Sequence, residues 1–131
     1  MTTPVRLAAL ASLAPLLAAC VNPFASTSCT TEARPALNVV AFDARSGAPF
    51  DGGYTVVARS DGFVETAIVP TYGEGWDPQW GALLAHERAG RYEVTVSKPG
   101  YALWRRTGVE VGRGECHVRT VKLEARLEPA Q

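Results

Sequence analysis

The sequence predicts an all-β domain, a seven-stranded antiparallel β-sandwich. Three observations carry that fold class. Runs rich in β-branched and aromatic residues recur from Ala36 to Leu127, several with alternating polarity. Clusters of Gly, Pro, Asp and Ser separate them at roughly 8–12-residue intervals, the spacing of a sandwich. The one helical candidate, Trp80–Ala89, is short and contains Gly81, so it carries little weight against the strands.

Composition sets the outer bounds. The chain has 131 residues, 47% hydrophobic and 20% charged, which suits one globular domain. Thirteen basic residues balance thirteen acidic ones, so no net field draws nucleic acid or an anionic membrane surface. No apolar run reaches the length of a membrane-spanning helix.

The first element is an address. Arg6 precedes the apolar stretch Leu7–Ala19, which ends in small residues and runs into Cys20. That is the pattern of a secretory signal peptide over residues 1–19. Leu17-Ala18-Ala19-Cys20 resembles a bacterial lipobox: small side chains fit the protease channel, and the Cys20 thiol accepts acyl chains such as palmitate. Pro15 argues against a core helix here. Val21 after the cysteine, where an Asp would favour the inner membrane, predicts an outer-membrane lipoprotein of the cell envelope. Its first partner is thus the membrane, through the lipid anchor at Cys20. Residues 20–35 form the lipidated cysteine and a Ser/Thr-rich tether, and 36–128 the sandwich.

With Cys20 acylated, Cys29 and Cys116 remain as a pair in an oxidising compartment. One disulfide is the simplest outcome. It closes most of the domain into a single loop, worth roughly 4 kcal/mol in the chain-entropy model. A reactive thiol would want a C-x-x-C spacing or a basic neighbour on its own face; His117 follows Cys116 but would point the other way along a strand.

The strands follow in order. Ala36–Ala44 stops at the turn cluster Arg45–Pro49, and Tyr54–Ser60 and Phe63–Val69 flank Asp61-Gly62, a strong hairpin signal. Pro70–Gly81 is a loop, and Ala82–Glu87 a short apolar piece. In Arg91–Lys98, Tyr92, Val94 and Val96 alternate with Glu93, Thr95 and Ser97, which predicts one buried and one wet face. Tyr101–Val111 places Leu103, Val109 and Val111 on one parity and Trp104 on the other. In Cys116–Leu127 the residues Val121, Leu123, Ala125 and Leu127 share a face; Val118 is out of phase, which predicts a bulge near Arg119.

The stretch Gly90–Tyr101 (GRYEVTVSKPGY) resembles the G-x-Y-x-V-x-V-x-x-x-G-Y segment of carboxypeptidase-regulatory-like domains, which are transthyretin-like, Ig-like β-sandwiches. The Gly47–Pro49 turn and the Tyr54–Ala58 strand fit the same pattern. The resemblance implies a non-catalytic folding or interaction module. A ring hydrolase on the same fold uses histidines and a C-terminal Tyr-Arg-Gly-Ser; this chain ends Leu127–Gln131, so the resemblance does not extend to that activity.

No constellation predicts catalysis, a metal or a cofactor. His86-Glu87 and Glu115-Cys116-His117 lack zinc-ligand spacing and read as surface groups. No G-x-S-x-G is present, and Asp51 and Asp61 sit at turns, where Asp is favoured for its own backbone hydrogen bonds. Arg105-Arg106 reads as a solvated pair rather than a nucleic-acid stripe. The loop Thr71–Gly81 is richer than structure demands. Tyr72, Trp76 and Trp80 could stack a sugar ring, with Glu74, Asp77 and Gln79 bonding its hydroxyls. The same residues suit an anchor for an envelope protein, and the leading expectation is that Trp76 and Trp80 fold back to plug one end of the sandwich.

Overall fold

The computed structural model describes residues 26–71 and 77–131. The signal segment, Cys20, Tyr72 and Trp76 lie outside the described residues. The strands are β1 (Leu37–Asp43), β2 (Tyr54–Ser60), β3 (Phe63–Val69), β4 (Ala82–Leu84), β5 (Gly90–Ser97), β6 (Trp104–Val111) and β7 (Val121–Leu127). They form two sheets, one of three strands in the order β4-β1-β7 and one of four in the order β3-β2-β5-β6. Trp80–Ala89 is not helical: a 3-10 turn over Pro78–Trp80 leads directly into β4.

The inner faces of both sheets make one core. Leu37, Val39 and Ala41 of β1 and Leu123, Ala125 and Leu127 of β7 face Tyr54, Val56 and Ala58 of β2 and Tyr92, Val94 and Val96 of β5. Tyr92 anchors one end, with its ring edge-on to Phe63 at 6.4 Å and its hydroxyl donating to Arg88 O at 2.8 Å. Tyr101 closes the other end, edge-on to Phe50 at 5.0 Å and donating to Asp43 Oδ2 at 2.8 Å. The sheets are also tied at their margins. Ala85 N–H donates to Glu65 Oε2 of β3 at 2.6 Å, and Ala102 N–H donates to Glu128 O at 2.8 Å.

Four sequence expectations are corrected. The sandwich is not wholly antiparallel: β1 and β7 pair in parallel from Leu37↔Val121 to Asp43↔Leu127. Patterning marks strands but carries no direction for partners far apart in sequence. Second, Leu103 is 58% exposed, whereas Trp104 packs against the core. The register explains this. Two steps on β5, from Tyr92↔Val109 to Val94↔Arg106, span three on β6. The bulge contains Gly108 at φ +67, a conformation that favours glycine, and it reverses the parity of everything before it.

Third, Thr95 is buried at 8% exposure rather than wet. It lies on a central strand between Val57 of β2 and Arg105 of β6, so neighbours cover it on both sides. Fourth, Cys116–Thr120 is not the start of β7 with a bulge. It belongs to a separate excursion closed by Gly114 N–H to His117 O at 2.7 Å and Arg119 N–H to Gly112 O at 2.9 Å. Val118 is buried there through an isolated bridge with Arg113.

Leu37→Ala removes a fully buried side chain and should cost about 2–5 kcal/mol of unfolding free energy. Leu103→Ala should change stability by less than about 0.5 kcal/mol. Denaturant melts of the two variants check the bulge-reversed parity: equal losses would place Leu103 in the core.

Candidate functional site

The 3-10 turn is built by its own sequence. Asp77 caps it, with Oδ1 accepting from Gln79 N–H at 3.0 Å, Oδ2 bonding Gln79 Nε2, and Pro78 at the first position. Gly81 ends it at φ +42, so close to β1 that an added Cβ would stand 2.3 Å from Val39 O. Only glycine allows that approach. The turn therefore lies across the outer face of the three-stranded sheet and covers Val40, which is 1% exposed yet apart from the core between the sheets.

Trp80 does not plug the sandwich. It is 62% exposed on that outer face, beside a groove in two halves. A hollow of about 290 Å³ is lined by Val40, Phe42, Pro49 and Pro78, with Asp77, Gln79 and Lys122 at its margin. A second of about 220 Å³ is lined by Asn38, Gln79, Trp80 and Lys122. Asn38 and Lys122 are register partners in the β1–β7 pair. Asn38 Oδ1 is buried with no hydrogen-bond donor among the described residues, and Lys122 takes part in none of the ion pairs formed there. The loop supplies Trp80 and Gln79 to this groove. Asn38 and Lys122 carried no sequence signal, because only the parallel pairing of distant strands brings them together.

A second cluster surrounds the disulfide. Cys29 and Cys116 are joined, with Cα atoms 5.3 Å apart and 87 residues between them in sequence. Thr27 Oγ1 bonds Glu115, Thr120 Oγ1 donates to Pro35 O at 2.7 Å, and Thr30 Oγ1 lies 3.0 Å from His117 Nε2. Glu87 is the hub. Its carboxylate accepts from Arg34 N–H at 2.7 Å and Val118 N–H at 3.3 Å and lies 2.7 Å from His117 Nδ1. The Arg34 N–H, opposed by partial desolvation and then aided by His117, holds the Glu87 carboxyl below its ordinary value. His117 is not a free surface histidine: its side chain is 13% exposed. His86 is exposed. An open cleft of about 470 Å³ borders this cluster, between Arg34 and the 114–120 segment.

The two clusters differ in kind. Around Glu87, the carboxylate and the His117 ring are both engaged by the chain itself, which is the pattern of a fastening. Around Trp80, an aromatic face is exposed, and an amide oxygen and an ammonium have no hydrogen-bond or ion-pair partner among the described residues. Among the described residues no group of three or more His, Cys, Asp or Glu side chains is placed to hold a metal ion. Against known proteins, the chain matches no family model, no curated protein and no solved structure.

Glu87 stabilises the fold in its ionised form. Because its folded pKa is depressed, that contribution is present above about 4.5 and is lost as pH falls through the lower folded value. Glu87→Gln should flatten the acid limb of a melting-temperature profile between neutrality and pH 3. An acid limb as steep as in the parent chain would show that Glu87 is not the titrating fastening.

Proposed function

We propose that the chain is a non-catalytic, lipid-anchored module of the bacterial cell envelope with a structural or protein-interaction role. The observation that carries this reading is the Cys29–Cys116 disulfide, which belongs to an oxidising compartment. It accords with a signal segment that ends in Leu-Ala-Ala-Cys20. The resemblance of Gly90–Tyr101 to carboxypeptidase-regulatory-like domains supports a role in support or interaction rather than chemistry. So does the Glu87–His117–Thr30 chain, in which each group serves to fasten residues 27–35 to the 112–120 excursion.

On this reading, the fastening would hold the chain that follows the anchor against one end of the sandwich. Residues 26–35 run beside the excursion that carries Cys116, so a lipid at Cys20 would draw on this end of the sandwich. The groove at Trp80 lies on a sheet face, where a partner can reach it while the anchor is seated. A second reading, a carbohydrate-binding module working through Tyr72, Trp76 and Trp80, is favoured by the exposure of Trp80 next to Asn38 and Gln79.

Expression with an alkyne-tagged fatty acid in a diderm bacterium tests the anchor. The parent chain should label and sediment with outer-membrane fractions, and Cys20→Ser should lose both the label and the sedimentation. An unlabelled, freely soluble parent chain would overturn the proposal.

A further inference from the structure

We infer that the groove under the 77–81 turn is a subsite for an N-acetylated amino sugar within a glycan. The inference rests on the carbohydrate reading and names the sugar class that the groove selects.

Asn38 Oδ1 is a buried acceptor without a donor among the described residues, a state that burial penalises. The amide torsion of Asn is soft, so a donor arriving in the groove can draw that oxygen toward itself at small cost. Lys122 is the reverse case, a donor with no carboxylate partner among the described residues, on a flexible stem. A ligand that satisfies both must present an N–H or O–H and an acceptor oxygen close together. It must also offer a flat apolar surface to Trp80, which stands 62% exposed at the rim.

A vicinal diol and a secondary acetamide both meet the polar requirement. The adjoining hollow separates them. Val40, Phe42, Pro49 and Pro78 give it apolar walls, and the Asp77 carboxylate at its margin is already occupied by Gln79 N–H and Nε2. A hydroxyl pushed there would lose its water and find few partners. An acetamide methyl group would gain from the same walls. The acetamido group of a 2-acetamido sugar thus places its N–H toward Asn38, its carbonyl toward Lys122 and its methyl against Val40 and Phe42. The pyranose C–H face then lies on Trp80.

Two tetrasaccharides with the same β-1,4 linkage isolate this choice, one of N-acetylglucosamine and one of glucose. Calorimetric titration of the full chain with its disulfide intact should show at least tenfold tighter binding of the acetylated sugar. Trp80→Ala should abolish binding of both sugars without changing the melting temperature appreciably, since the side chain is exposed. Lys122→Met and Asn38→Leu should reduce the acetylated sugar's advantage to less than threefold. Equal affinity for the two sugars would overturn the acetamido subsite and leave the carbohydrate reading standing. Binding of neither would overturn both.

Discussion

The parallel pairing of β1 with β7 is the constraint on which the rest of the molecule depends. It joins the first and last strands over seven register pairs, Leu37↔Val121 to Asp43↔Leu127. Because the two strands run the same way, the segments that lead into them lie side by side at one end of the sandwich. Cys29 stands a few residues before β1 and Cys116 a few before β7, and they meet there with Cα atoms 5.3 Å apart. Had β7 run antiparallel to β1, Cys116 would sit near Asp43, about 20 Å from the start of β1 at the ordinary rise of a strand. The lead-in that carries Cys29 would then have to fold back along the sheet to reach it. The parallel direction lets the two lead-ins meet without either one doubling back along the sheet.

This shows where the sequence was legible and where it was misread. The limits of β2 and β3 could be read residue for residue, because Asp61-Gly62 punctuates two strongly β-forming runs and Gly62 adopts φ +65. The Cys29–Cys116 pairing was legible from the cysteine count and the compartment that the signal pattern leads one to expect. The pairing did not fix strand direction, since the residues between each cysteine and its strand are enough to reach either end of β1, and the expected sheet was antiparallel throughout. The parity of β6 was lost for a different reason. A bulge at Gly108 changes the phase of a strand without changing its composition, and periodicity cannot locate a single extra residue beside a glycine. In the candidate site, the loop that supplies Trp80 and Gln79 was evident from its aromatics. Asn38 reads as an ordinary polar interruption in LNVVAFD, and Lys122 as an ordinary solvated lysine, until the β1–β7 register makes them neighbours.

The outer face of the three-stranded sheet shows how the same register shapes a surface. Successive outward positions pair Asn38 with Lys122, Val40 with Glu124 and Phe42 with Arg126. Arg126 is drawn two ways, to Glu124 at 3.3 Å and over the Phe42 ring at 5.5 Å, which lines the far end of the face with its own partners. The near end has no such closure. There the turn capped by Asp77 spans the strand, held down by the close approach of Gly81 to Val39 O. Polarity therefore changes along this face, from an amide oxygen unpaired among the described residues to an apolar floor to a neutralised cation. A ligand with a polar group next to a methyl matches that gradient better than one uniformly hydroxylated.

The remaining question is why the chain tolerates strain beside its fastening. Ala85 and Glu87 both take positive φ, 56° and 55°, in a turn with no glycine until Gly90. Each such residue costs about 1 kcal/mol or more in isolation. The turn must carry the chain from β4 in one sheet to β5 in the other within a few residues, and it is held from three directions. Ala85 N–H is bound by Glu65 of β3, Glu87 N–H by Arg34 O at 2.9 Å, and Glu87 O by Arg113 Nη2 at 3.2 Å. The left-handed backbone at Glu87 accompanies a side chain that meets Arg34, His117 and Val118 together. The strain thus accompanies one carboxylate that joins the turn to two other segments, the N-terminal lead-in at Arg34 and the cystine excursion at His117 and Val118. A glycine at 87 would relieve the backbone and lose the hub, and the lead-ins to β1 and β7 would then be held by the disulfide and the threonine bonds of Thr27, Thr30 and Thr120.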